Sequence, residues 1–125
     1  MSENRAWIYC RIAHGSVLGP DAIAIQRRRL EWYAVQHGLE VVGSSEDCQP
    51  GTAMDRPGIR EMNRAVERHA VDVVLVFSLD RLCRKIGDAI RYWHYLRKYG
   101  VRLCSVSDGE IDLSMDADIM KALSI

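Results

Sequence analysis

Residues 73–85, with the sequence VVLVFSLDRLCRK, join an apolar run to a strongly charged segment. The first five residues are apolar on both faces, which is typical of a central parallel strand covered by helices on both sides. Asp80, Arg81 and Arg84 follow at the carboxyl end of that predicted strand. Because Arg81 and Arg84 are three residues apart, a helical turn projects both from one face. Two guanidinium groups beside a carboxylate favour binding of a phosphate or of a developing phosphorane.

Strand and helix patterns alternate along the rest of the chain. Strands separated by helices at this spacing indicate βαβ units. The predicted fold class is therefore α/β, with a mainly parallel central sheet of four to five strands flanked by helices. Residues 1–112 are expected to form one domain, and residues 113–125 the truncated start of a longer helix. Strands are predicted at residues 6–12, 40–45, 71–77 and 101–106, and helices at residues 21–37, 57–69 and 86–99.

The composition is that of an ordinary globular domain, with 48% hydrophobic and 27% charged residues. Its 17 basic and 17 acidic residues balance, whereas a free-standing nucleic-acid-binding protein usually has a basic excess. The balance argues against strong DNA binding by this chain alone, but leaves room for a catalytic module that depends on a separate binding domain. No apolar run approaches the ~20 residues that span a bilayer, and no signal peptide is evident. We therefore expect a cytoplasmic protein without membrane contact.

The four cysteines are widely scattered, and neither a Cys-x-x-Cys pair nor a histidine group at ligand spacing is present. A zinc site is therefore not expected, and we predict neither a metal nor another cofactor. Reduced thiols that pack as small core hydrophobic groups are the natural interpretation. The cysteines are Cys10, Cys48, Cys83 and Cys104.

Charged side chains follow three of the predicted strands. Arg11 ends the first strand, Asp47 follows the second, and residues 79–85 follow the third. Arg56 ends a long loop predicted over residues 46–56 and is expected to fold over the same crevice. Ligands of open parallel sheets gather beyond the carboxyl ends of the strands. The topology alone thus predicts four arginines and two aspartates at one edge, a cluster suited to phosphoryl transfer.

Three motifs occur in order, at residues 9–13 (YCRIA), 47–58 (DCQPGTAMDRPG) and 79–84 (LDRLCR). Together they resemble the catalytic domain of the serine recombinases, the resolvase and invertase family. The resemblance spans residues 6–112 and implies a resolvase-like catalytic domain. Members of that family cut DNA with a serine hydroxyl and form a phosphoserine linkage to the 5′ end. They exchange strands within a tetramer and rejoin them without metal or ATP. The resemblance therefore implies DNA as a partner and a homo-oligomer, a dimer or a tetramer on DNA.

The resemblance also implies a role for each arginine. Arg11, Arg81 and Arg84 would bind the scissile phosphate, and Arg56 would complete the charge clamp. The arginines at residues 27–29 are read instead as the solvated face of a helix, with a DNA-binding patch as the alternative.

Four further residues support the site in this resemblance. Asp80 would orient the arginines or handle a proton, and Asp47 would support the loop, although capping a turn is an equally good interpretation of Asp47. Tyr9 would pack beneath the site, and Gln26 matches the family's pattern in the first helix.

The nucleophile position departs from the family pattern. The family's serine stands two residues after the first-strand arginine, where this chain has Ala13. A methyl group cannot attack phosphorus, so the chain as given is expected to be inactive in cleavage. Pro50 also stands where the family usually has a serine. Ser16 is an alternative nucleophile, but it would be displaced by several ångströms, and Cys10 points to the opposite face of its strand.

Two functions remain open from the sequence. The first is a site-specific recombinase catalytic domain that lacks its nucleophile, by natural loss or by engineering. The second is a non-catalytic, recombinase-like module for oligomerisation or regulation on DNA. The preserved arginines favour a phosphate-binding role in both cases. A flavodoxin-like or receiver domain is disfavoured, since neither a glycine-rich phosphate loop nor an acidic pair after the first strand is present.

Overall fold

The computed structural model describes residues 4–12, 19–48 and 54–114, with residues 19–21 described by their backbone alone. Within these residues, five strands and four helices follow one another in the order β1-α1-β2-α2-β3-α3-α4-β4-β5. The strands are β1 (Arg5–Ile12), β2 (Glu40–Cys48), β3 (Val73–Val76), β4 (Arg102–Ser105) and β5 (Gly109–Ile111). The helices are α1 (Gly19–Gln36), α2 (Pro57–Glu67), α3 (Leu79–Leu82) and α4 (Ile86–Lys98).

The strands form a single sheet in the order β2-β1-β3-β4-β5. The pairs β1–β2, β1–β3 and β3–β4 are parallel, and β5 runs antiparallel to β4. The predicted α/β class with a mainly parallel sheet of four to five strands is confirmed. The sequence prediction missed β5, because a strand of three residues is too short to show an alternating pattern.

The sheet is covered on both faces, as the apolar sequence of β3 predicts. Trp7 and Tyr9 of β1 pack with α2 and α4 on one face, whereas Ile8 and Cys10 pack with α1 on the other. All four residues of β3 are fully buried, and they alternate between these two clusters. The carboxyl ends of β1, β2 and β3 therefore lie side by side between the two helical layers.

Several element boundaries differ from the prediction. Strand β2 extends to Cys48 instead of ending at residue 45, because its parallel pairing with β1 continues through the pair Ile12 and Cys48. Asp47 consequently lies in a strand and not in the predicted loop. Helix α1 begins at Gly19, two residues before the predicted start. The helix predicted over residues 114–125 lies outside the described residues, apart from Ser114.

Two side chains that the sequence pattern groups with core residues are exposed. Ile86 stands at helical spacing with buried residues of α4, but it is 54% exposed because it is the first residue of that helix. Cys48 was expected in the core, but it is exposed at the last position of the edge strand β2. The other three cysteines are buried and free, as predicted. Within the described part of the chain, none of the helices is long and apolar enough to cross a membrane.

The indole of Trp7 lies against Gly43, its register partner in β2. A Cβ atom on Gly43 would approach the indole Cζ3 to 2.3 Å, so a side chain and the ring cannot both fit. We expect Gly43→Ala to lower the free energy of unfolding by about 1–3 kcal/mol through overpacking. Gly87→Ala is the matched control, because the added methyl group meets Arg91 only at an ordinary 3.5 Å. Urea denaturation measures both, and equal effects would contradict the steric argument.

An ion pair ties the start of β1 to the segment before β3. Arg5 donates through Nε to Asp72 Oδ2 at 3.0 Å, and the backbone N–H of Arg5 donates to the same oxygen at 2.9 Å. The hydrogen bond from the Arg5 side chain is the largest cause that lowers the pKa of Asp72. A carboxylate with a lowered pKa in the folded state stabilises the fold above its unfolded pKa, and this stabilisation is lost as the pH falls through the folded value.

We therefore expect Asp72→Asn to lower the urea midpoint at pH 7 and to lower it less near pH 2, because the stabilisation by this carboxylate is lost as the pH falls below its unfolded pKa. Asp55→Asn serves as the control, since Asp55 makes only an exposed pair with Arg60. An Asp72→Asn effect of the same size at both pH values would show that charge is not its cause.

Candidate active site

Three side chains of β1 point toward the α2 and α4 layer and each reaches a different partner. Trp7 donates from Nε1 to the Ser45 hydroxyl at 3.0 Å, and the Tyr9 hydroxyl donates to Asp47 Oδ2 at 2.7 Å. Arg11, the third, reaches past the strand ends to helix α3. The alternation of a β-strand thus places one tryptophan, one tyrosine and one arginine in a row beneath the edge of the sheet.

Asp47 connects the sheet to the start of α2. Its Oδ2 accepts the Tyr9 hydroxyl, and its Oδ1 accepts the backbone N–H of Gly58 at 2.9 Å. The same carboxylate therefore binds a side chain of β1 and the backbone of the first turn of α2. Burial and the hydrogen bond to Asp47 raise the pKa of Tyr9, so the phenol stays protonated and remains a donor.

Arg11 is only 2% exposed and holds helix α3 by its backbone. Its Nε donates to the carbonyl of Arg81 and its Nη2 to the carbonyl of Asp80, each at 3.0 Å. The backbone of Arg11 is fixed in turn by Gln26, whose Oε1 accepts the Arg11 N–H at 3.0 Å and whose Nε2 donates to the Arg11 carbonyl at 3.3 Å. Gln26 therefore acts as the buried link between α1 and the end of β1.

Arg56 is fully buried and grips the same short helix. Its Nη2 donates to the carbonyl of Leu82, and its guanidinium carbon lies 5.6 Å from the centroid of the Tyr9 ring. The Nε and Nη1 atoms of Arg56 are buried and have no hydrogen-bond partner among the described residues. Arg56 was expected to fold over the crevice, and in the structure Tyr9 and α3 enclose it.

Together, Arg11 and Arg56 bind three successive carbonyls of α3. A helix of four residues leaves its C-terminal carbonyls without intrahelical partners, and positive charge there is favourable. Burial lowers the pKa of the Arg11 guanidinium, and repulsion from the three other arginines of this site lowers it further, against attraction to Tyr9. That mutual repulsion shows how closely the four side chains lie. We call them the arginine cluster: Arg11, Arg56, Arg81 and Arg84.

The outer part of the site is solvent-accessible. Arg84 and Asp80 are exposed, and Arg81 is half-buried. The Ser78 hydroxyl donates to Oδ1 of Asp80 and so orients this carboxylate at the start of α3. Asp80 and Arg84 line a cavity of about 240 Å³ together with Leu79, Cys83, Lys85, Ile86 and Ala89.

The structure thus brings together all the predicted site residues that it describes. Ala13, Ser16 and Pro50 lie outside the described residues. Cys10 is buried on the opposite face of β1, as predicted, and burial raises the pKa of its thiol to about 12. A thiol in that state is a poor nucleophile at neutral pH. Among the described residues, no group of three or more His, Cys, Asp or Glu side chains is placed to hold a metal ion.

Two residues that support the site from below, Trp7 and Ser45, were not among the predicted site residues. Trp7 alternates with Tyr9 along β1 and so shares its strand face, which is the signal that could have linked it to the site. Ser45 gave no signal of its own, because its contact with Gly58 joins a strand to a helix 13 residues further along the chain.

The chain is similar to known proteins over almost its full length. The family described as "Resolvase, N terminal domain" matches residues 6–124. The crystal structure of the N-terminal catalytic domain of TP901-1 integrase is similar with a TM-score of 0.76 and 27% sequence identity, covering 97% of this chain and 92% of that chain.

Two further structures share the fold at comparable identity. A resolvase family site-specific recombinase from Streptococcus pneumoniae has a TM-score of 0.70 and 28% identity, covering 97% of this chain and 83% of that chain. The C-terminal catalytic domain of ISC1926 TnpA, an IS607-like serine recombinase, has a TM-score of 0.74 and 28% identity, and the match covers 95% of this chain and 77% of that chain. The match of the family to nearly the whole sequence shows that this chain belongs to the resolvase family of serine recombinases and is a site-specific recombinase catalytic domain.

Proposed function

We propose that this catalytic domain binds the scissile phosphate of DNA through Arg81 and Arg84, and that Ala13 leaves it unable to cut the strand. The observation that carries the proposal is that, among the described residues, the side chains of the inner two arginines of the cluster bind the backbone, whereas those of the outer two do not. The guanidinium groups of Arg11 and Arg56 are occupied with backbone carbonyls of α3. The side chains of that segment that extend toward solvent are therefore the ones suited to meet an anion.

The inner arginines still contribute to anion binding by their charge. Within the described residues, the site buries two guanidinium groups and one carboxylate, that of Asp47, so this part of its interior is net positive. Charges inside a protein are screened less than charges in water, and their field therefore extends to the rim. A phosphate diester at the cavity that Arg84 lines would contact Arg84 and be attracted by the charge of the other three arginines.

The proposed chemistry needs a hydroxyl group at position 13. In a serine-bearing form, the serine oxygen would form a bond to phosphorus while the bond from phosphorus to the DNA 3′ oxygen breaks. The serine proton leaves through a base, and the departing 3′ oxygen takes up a proton, so charge is conserved. Asp80, exposed beside the arginines and oriented by Ser78, is suited to one of these proton transfers. The methyl group of Ala13 cannot form this bond.

We also propose that the chain functions as a homo-oligomer on DNA and in the cytoplasm. Its relation to site-specific recombinases supports the first part, and the buried thiols of Cys10, Cys83 and Cys104 are consistent with a reducing compartment. The alternative function is a non-catalytic module on DNA, which Ala13 itself favours. In that case the arginine cluster would bind DNA without any later cleavage step.

Restoring the nucleophile separates these two functions. We expect Ala13→Ser to yield protein covalently linked to nicked DNA when it is incubated with a library of supercoiled plasmids, because the four arginines and Asp80 are in place. Denaturing gels detect the linked protein. The unmodified chain and the double variant Ala13→Ser/Arg81→Gln are the controls and should yield none. Absence of any linked product from Ala13→Ser would favour the non-catalytic module.

Phosphate contact by Arg84 is measurable without cleavage. We expect Arg84→Gln to weaken binding of short duplex DNA at low salt and to reduce the slope of log K against log salt by about 0.9, the value for one lost phosphate contact. NMR titration suits the weak affinity expected of an isolated neutral domain. Arg91→Gln is the matched control, because Arg91 is also exposed but pairs with Asp88 on α4. An equal change in slope for both variants would contradict a specific contact by Arg84.

A further inference from the structure

We propose that Ser45 and Trp7 are positioning residues for the reaction, which act by holding Gly58 and, through it, Arg56. The inference rests on the proposed function, since Arg56 in turn holds the helix that carries Arg81 and Arg84. Neither residue touches the phosphate site. Their effect would be transmitted through one peptide unit at the start of α2.

Ser45 lies between a donor and an acceptor that are both buried. Trp7 Nε1 donates to the Ser45 oxygen at 3.0 Å, and the Ser45 hydroxyl donates to the carbonyl of Gly58 at 2.7 Å. An indole N–H only donates and a backbone carbonyl only accepts, so the direction of both hydrogen bonds is fixed. The Ser45 hydroxyl therefore donates its proton to the carbonyl of Gly58.

Gly58 is held at both ends by neighbouring residues of one strand face. Its N–H donates to Asp47 Oδ1 at 2.9 Å, and its carbonyl accepts from Ser45. The backbone at Gly58 thus has two buried anchors on β2, one on each side of its Cα atom. A Cβ atom at this position would come within 2.6 Å of Asp47 Oδ2, so a glycine is needed for the close approach.

The connection from Gly58 to Arg56 is short and stiff. Only Pro57 lies between them, and its ring fixes one of the two backbone torsions at that residue. Arg56 is the N-cap residue of α2 with an extended backbone, and its side chain reaches Leu82 across the ring of Tyr9. A shift of Gly58 away from β2 would therefore withdraw the Arg56 guanidinium from helix α3. Errors of roughly 1 Å in a catalytic group can cost about a hundredfold in rate.

Gly43 and a β-bulge make the contact of Trp7 possible. The pairing register between β1 and β2 shifts between Ala6 and Trp7, which places the tryptophan opposite Gly43. The missing side chain at Gly43 leaves room for the indole. These two features allow the ring N–H to reach along the strand to Ser45.

The kinetic test uses the Ala13→Ser background and the rate of covalent adduct formation. We expect Ser45→Ala to slow the reaction by tenfold or more at saturating DNA, and Ser45→Thr to recover most of the rate because it keeps the hydroxyl. In an Arg56→Gln background, Ser45→Ala should change the rate by less than about twofold, because its effect passes through Arg56. Ser105→Ala is the matched control, a buried serine in β4 that accepts the backbone N–H of Asp108 at 2.9 Å.

A merely structural role would give a different kinetic pattern. Ser45→Ala would then slow the reaction equally with and without Arg56, and Ser105→Ala would slow it as much as Ser45→Ala at equal loss of stability. Either result would overturn the proposal. Trp7→Phe removes the indole N–H together with part of the ring but leaves the hydrogen bond from Ser45 to Gly58, so at equal loss of stability its effect on the rate should be smaller than that of Ser45→Ala.

A second measurement does not depend on cleavage and uses the chain with Ala13. The Nε–H of Arg56 is buried, and its exchange with water can be followed by nitrogen-15 NMR. We expect Ser45→Ala to accelerate this exchange at least tenfold and Ser105→Ala to leave it unchanged. Unchanged exchange in Ser45→Ala would overturn the positioning role even if Ala13→Ser is active. A complete lack of adduct from Ala13→Ser would instead contradict the proposed function, and the exchange rates would still decide the role of Ser45.

Discussion

The site depends on the capping of a four-residue helix by two buried guanidinium groups. Helix α3 is too short for its last carbonyls to find partners within the helix. They accept hydrogen bonds instead from Arg11 of β1 and from Arg56 at the start of α2. Three elements that are distant in the sequence are thereby joined at the carboxyl edge of the sheet. Burying two cations so close together is unfavourable, and the lowered pKa of Arg11 reflects it. The hydrogen bonds to carbonyls and the contact of Arg56 with the Tyr9 ring offset this cost.

Most of the fold was predictable because its signals are local. The apolar run of β3, the alternation in β1 and the stripes on α2 depend only on neighbouring residues. The end of β2 and the short strand β5 were not predictable, since both are defined by pairing with another strand. The exposure of Ile86 and Cys48 likewise depends on where an element ends relative to the sheet, which no local pattern encodes.

The candidate site was predictable as a set of residues but not as a set of contacts. Topology alone placed Arg11, Asp47 and residues 79–85 at one edge, and the structure brings them together there. The burial of Arg56 could not be inferred, because it results from the packing of Tyr9 and α3 around it. The hydrogen bonds from Trp7 to Ser45 and from Ser45 to Gly58 could not be predicted from the sequence either, because they join three segments that meet only in the folded chain.

The arginine contacts with α3 have a consequence for sequence variation. Each of these hydrogen bonds ends on a main-chain oxygen, a group that every amino acid carries. The hydrogen bonds that support this helix are therefore insensitive to which side chains residues 80 and 81 bear. Substitutions at these positions can change the side chains that meet a substrate while the hydrogen bonds to the helix backbone stay the same. Such a separation lets reactivity diverge within one unchanged framework.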